Sequence, residues 1–311
     1  MRAILWSTLL LLFGTPLVGF AQTEPESAPA EDQAQTEKLL KEFGEGYEVR
    51  QTKHWTIIQK AGVDFVEQVE KTLERTHDVF FEQFKKLGMN PKPIRKKLIC
   101  ILIGDHEEFV EYVKDLRGKE PSGGGFYSSK TNRIIFFDNR TKKDRRGPEE
   151  RAEKNNFGKT AHEAAHQLAF NTGVQKRGAG YPAWVGEGLA SNFEPKSPEA
   201  KFGMFDAPPS QRTRALPKME RRVGLFPLEE LVSMTRPKEK KKIGVMYAQG
   251  SAFFRFLANE RPEELVVYLK AMAARRRGKP KQEEWAKIFE DSFGPAKDLE
   301  ESWKAFLKML R

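Results

Sequence analysis

A single cysteine stands among the 311 residues. No intramolecular disulfide can form, so the fold has to rest on a hydrophobic core. That cysteine, Cys100, lies in the apolar run Leu98-Ile99-Cys100-Ile101-Leu102-Ile103, where it reads as a small buried hydrophobe rather than a nucleophile. Beyond residue 20 no run is apolar enough to span a bilayer. No nucleic-acid module is recognisable despite the basic charge, so no nucleic-acid partner is expected. No internal repeat is visible. Histidine is also scarce, five in the whole chain, which makes any paired histidines informative.

What is present begins with Arg2 and an apolar run over 3–20, broken by Gly14 and Pro16, with the small pair Gly19 and Ala21 fitting a cleavage site after Ala21. This reads as a signal peptide over 1–21, with a retained membrane anchor as the alternative. The chain is therefore expected to be exported, to a periplasmic or extracellular location. Residues 22–37 hold five acids, no base and no aromatic, so 22–46 is expected to be a disordered linker. The net charge of +10 favours an anionic envelope surface as a partner. Basic runs such as Lys238-Glu239-Lys240-Lys241-Lys242 read as solvated surface.

The folded body is expected to be α+β, with an N-terminal α/β lobe over 47–175 and a helical C-terminal lobe over 176–311. Phe65, Val69, Leu73, Phe80, Phe84 and Leu87 recur near helical spacing. Residues 97–104 and 133–138 read as strands of a small mixed sheet, and 106–116 as a short helix. The second half is nearly all helix. One helix spans 149–171 with Gly173 as its stop, and Pro182 opens the next.

The chemistry is concentrated in His162-Glu163-Ala164-Ala165-His166. On a helix, residues four apart share a face, so both imidazoles can reach one ion. Glu163 is rotated roughly 100° away and can act on a water without binding the metal. Two histidines leave the ion short of a third protein ligand. Glu187, in Trp184-Val185-Gly186-Glu187-Gly188-Leu189-Ala190, supplies it from a second helix, giving the two-His, one-Glu set of an open zinc site. Gly186 and Gly188 are expected to let that helix approach the histidine helix. Ser191 and Asn192 are candidates to hydrogen-bond a ligand histidine. His54, His77 and His106 have no partner at ligand spacing.

These two segments resemble those of gluzincin metallopeptidases, the second being closest to aminopeptidase N-type enzymes with their Trp-x-x-Glu-Gly-x-Ala run. A third segment, Tyr247-Ala248-Gln249-Gly250-Ser251-Ala252, is similar to that family's Tyr-x-Lys-Gly-Ala run. The resemblance covers about residues 95–260. It implies a zincin-like fold with one zinc ion between the lobes and a peptide or protein substrate. It also implies Tyr247 as hydrogen-bond donor to the developing oxyanion, against a helix-packing role on the stripe of Met246 to Leu257. The chain departs from the aminopeptidases in lacking a Gly-x-Met-Glu-Asn strand before His162 and the large N-terminal sheet domain. It is more similar to a minimal catalytic core of secreted bacterial gluzincins. A zinc endopeptidase is the leading reading. A non-catalytic zinc-containing module that binds envelope polymers and a metal-free helical scaffold are the alternatives.

Overall fold

The structure is a computed structural model, describing residues 30–121, 123–143, 147–278 and 281–310. The signal-peptide reading of 1–21 lies outside the described residues. The N-terminal part contains α1 (Ala30–Phe43), β1 (Glu48–Gln51), β2 (Trp55–Gln59), α2 (Val63–Lys86), β3 (Leu98–Ile103), α3 (His106–Arg117), β4 (Gly125–Ser128) and β5 (Arg133–Phe137). The remainder is helical: α4 (Glu149–Asn171), α5 (Ala183–Ser191), α6 (Gln211–Val223), α7 (Leu228–Leu231), α8 (Ile243–Glu260), α9 (Pro262–Ala274), α10 (Gln282–Phe293) and α11 (Glu300–Met309). The fold is α+β, as expected.

The strands form one mixed sheet in the order β1-β2-β3-β5-β4. The inner pairs β2–β3 and β3–β5 are parallel, and the outer pairs β1–β2 and β5–β4 are antiparallel. Every residue of β3 is buried, as a central strand covered on both faces requires. Alternation divides its side chains between two cores. Leu98, Cys100 and Leu102 join Trp55, Ile57, Ile134 and Phe136 in the larger core, under α2 and α4. Ile99, Ile101 and Ile103 join Ile58, Ile135 and Phe137 in a smaller one, closed by Phe109 and Val113 of α3. Burial raises the Cys100 thiol pKa far above its ordinary value, which keeps it protonated and inert.

The smaller core also takes in Leu39, with Leu40 and Phe43 packed against it. The stretch 22–46, expected to be a linker, therefore contains α1, and the folded body begins well before Tyr47. The acid-rich composition conceals three apolar residues that share one helical face.

Helix α4 runs unbroken through Gly158 and packs on α2 and α5. Gly173, at φ +85°, turns the chain after it, and Pro182 caps α5 rather than occupying its first turn. The glycines of α5 act differently from expectation. A Cβ at Gly188 would overlap the Gly250 carbonyl, whereas one at Gly186 would meet nothing. The close approach is thus between α5 and α8, not between α5 and the histidine helix. Trp184, on the same contact, packs on Phe253 of α8 at 5.3 Å, stacks on Tyr268 at 5.1 Å and donates from Nε1 to the Val232 carbonyl.

Candidate metal centre

His162 and His166 project from one face of α4, their ring centroids 4.8 Å apart and their planes at 81°. Helix α5 delivers Glu187 between them. His162 Nε2 lies 3.3 Å and His166 Nε2 3.6 Å from the same oxygen, Glu187 Oε2. One donor atom from each residue falls within 4.8 Å of the others, and among the described residues this is the one such group of three or more. Donors bound at about 2.0–2.1 Å in tetrahedral geometry stand about 3.4 Å apart, close to these spacings. The donor set fits a metal ion.

The electrostatics also call for a cation. Burial disfavours charge on His162, yet the carboxylates of Glu187, Glu194 and nearby Glu163 push its pKa up to about 10. Burial would raise Glu187, but the two imidazoles hold it well below the usual carboxylate range. Such a site holds a positive charge, as a proton or as a metal.

The histidine is oriented from behind by a residue not foreseen in the sequence. Glu194 Oε1 lies 2.9 Å from His162 Nδ1. A carboxylate this close to the far nitrogen favours the proton there and raises the basicity of the ring. Arg212 holds Glu194 in turn, its Nε 2.7 and 2.9 Å from the two oxygens. The Arg212 guanidinium also lies over the Tyr247 ring at 4.9 Å. Burial opposes charge on Glu194, but His162 and Arg212 lower its pKa. Ser191 and Asn192 do not serve the histidines. Asn192 donates to the Gly188 and Ser251 carbonyls, and Ser191 Oγ has no hydrogen-bond partner among the described residues.

Glu163 sits beside the cluster, outside the donor set. Its Oε2 accepts the Tyr127 amide of β4 at 2.7 Å. This is the outward-facing side of an edge strand. Tyr247 reaches the same space from α8, and His162, Glu163 and Tyr247 line both clefts that open onto the site. Burial, then the charge of Glu187, raise the Tyr247 phenol to about 12, so it is a neutral hydrogen-bond donor at ordinary pH. Lys159, one turn before Glu163, donates to the Gly124 and Phe137 carbonyls at 2.8 Å each. It ties the approach to β4 against the sheet.

The other histidines lie elsewhere. His54 stacks on His77 at 3.6 Å and meets Glu74, while His106 packs against Phe137 at 5.0 Å. Asp105 caps α3 through the Glu108 amide.

The fold and site together define a chain of α+β architecture with a His/His/Glu group able to hold a metal. Residues 156–278 match a family described as "Protein of unknown function (DUF1570)". The matched segment begins inside α4 and carries the three candidate ligands with Glu163, Glu194, Arg212 and Tyr247. No curated protein matches the chain.

Proposed function

We propose that this chain is a zinc-dependent metallohydrolase of gluzincin type that cleaves peptide bonds, with His162, His166 and Glu187 as ligands and Glu163 as the base. The observation that carries the reading is the convergence of two imidazole nitrogens and one carboxylate oxygen within 4.8 Å, with a second carboxylate held beside them. Two histidines and a carboxylate leave a coordination position for water, and zinc is the usual metal for that set. A zinc ion there would polarise the carbonyl and make water more acidic.

The protein's own groups then divide the work. The Tyr127 amide fixes one oxygen of Glu163. The other accepts the proton of the attacking water and passes it to the departing amine. Tyr247, neutral and angled by Arg212, donates to the oxygen that gains charge. Glu194 and Arg212 keep His162 in register. Apart from the Tyr127 amide, the outer edge of β4 offers backbone groups to an extended peptide. No glutamate on β4 is available to grip a free amine, which favours an endopeptidase. The apolar stretch after Arg2 is the basis for placing the activity outside the cytoplasm.

Glu163→Gln tests the reading. Zinc content should remain that of the wild type, because Glu163 is not a ligand. Release of dye from a labelled unfolded protein should fall by roughly a hundredfold to ten-thousandfold, as should wild-type activity after chelation. Undiminished hydrolysis by the variant would remove Glu163 from the chemistry. Zinc without hydrolysis in the wild type would favour a binding module.

A further inference from the structure

The metal centre lies at the meeting point of two clefts that differ in their cations. One, of about 450 Å³, is walled by Phe126, Tyr127, Phe170 and Tyr181. Its cation, Arg117, is already spent on the Phe126 ring at 3.6 Å. The other cleft, of about 730 Å³, carries Lys154, Lys159, Lys196, Arg212 and Arg214 against two carboxylates. Both carboxylates are engaged: Glu163 with the Tyr127 amide, Glu194 with His162 and Arg212. Lys159 is committed to two carbonyls. That leaves Lys154, Lys196 and Arg214 as exposed cations with no ion-pair partner among the described residues.

Unpaired cations in a concave surface focus a positive field into it and raise the local concentration of anions. Arginine and lysine lining such a cleft can pair with the oxygens of Asp and Glu side chains. Resting on the peptidase reading above, we propose that the basic cleft is a specificity subsite, and that the chain selects peptides with acidic side chains on one side of the scissile bond.

The test is a binding measurement that needs no turnover. The full chain carrying Glu163→Gln and loaded with zinc is titrated with a labelled heptapeptide. The peptide is blocked at both ends and carries a glutamate pair on each side of a central phenylalanine. Counterparts carry glutamines or lysines in place of the glutamates. The glutamate peptide should bind roughly tenfold tighter than the glutamine one, the effect of two or three partly exposed charge pairs. Added salt should remove most of the difference. Adding Lys196→Glu with Arg214→Glu should abolish the preference. Lys270→Glu with Lys308→Glu, which changes the net charge equally on helices lining neither cleft, should leave it intact. Equal binding of the three peptides would overturn the proposal, as would a preference that survives the Lys196 and Arg214 reversals. Failure of wild-type hydrolysis, measured separately, would strike the peptidase reading instead.

Discussion

At the scale of single residues, the site is an arrangement of charges that constrain one another. Glu187 and Glu194 bracket His162 on its two nitrogens, and Arg212 balances the outer carboxylate. The pair His162 and His166 was legible because helix periodicity alone puts positions four apart on one face. Glu187 was legible because two imidazoles make an incomplete ligand set. Glu194 was not, because α5 ends at Ser191 and no periodicity carries past it. Lys159 supplies a pH-dependent test. Burial lowers its pKa from 10.5 to about 7, against the pull of Asp138 and Glu163. Between those values the unfolded chain binds more protons than the folded one, so this group makes stability rise with pH. Urea unfolding at pH 6.5 and pH 10 should therefore show a larger gain at high pH for the wild type than for Lys159→Met. An equal gain in both would contradict the lowered pKa.

At the scale of elements, the position of Glu187 depends on how tightly α5 lies against α8. Gly188 faces the Gly250 backbone, and a Cβ at Gly250 would in turn come 3.2 Å from Trp184 Cα. Gly188→Ala should force the helices apart, costing about 1–3 kcal/mol and weakening zinc binding by displacing the neighbouring Glu187. The urea midpoint and a zinc titration check both effects; an unchanged midpoint would remove the close contact as the reason for glycine. Elements with strong pattern were readable from sequence: the apolar run of β3, the stripe of α2, the span of α4. Those read poorly had weak or conflicting signals. β1 is Glu-Val-Arg-Gln and β4 is Gly-Phe-Tyr-Ser. Both are short edge strands whose outward side gives little apolar alternation. α6 carries Pro217 in its interior, which argues locally against a helix.

At the scale of the whole molecule, the larger core runs without a break from Trp55 and Phe65 through Ala164 and Trp184 to Phe253 and Trp303. The residues expected to form two lobes thus share one apolar interior, and the ligand helices are held by it from both sides. The smaller core closes the opposite face of the sheet, and α1 is part of its cover. Leu39 is only 2% exposed, so Leu39→Ala should destabilise the chain by about 2 kcal/mol or more, read as a lower urea midpoint. No loss would mean that α1 is an ornament on the fold rather than a part of it. Among the described residues no helix is long and apolar enough to cross a membrane.

X-ray absorption at the zinc edge, on the full chain reconstituted with one equivalent of zinc, addresses the central claim most directly. The account predicts a single bound ion with two imidazole nitrogens and carboxylate or water oxygens at about 2.0–2.1 Å. It also predicts that one imidazole is lost in His166→Ala. A spectrum of zinc surrounded by oxygen alone, or one unchanged by that substitution, would contradict it.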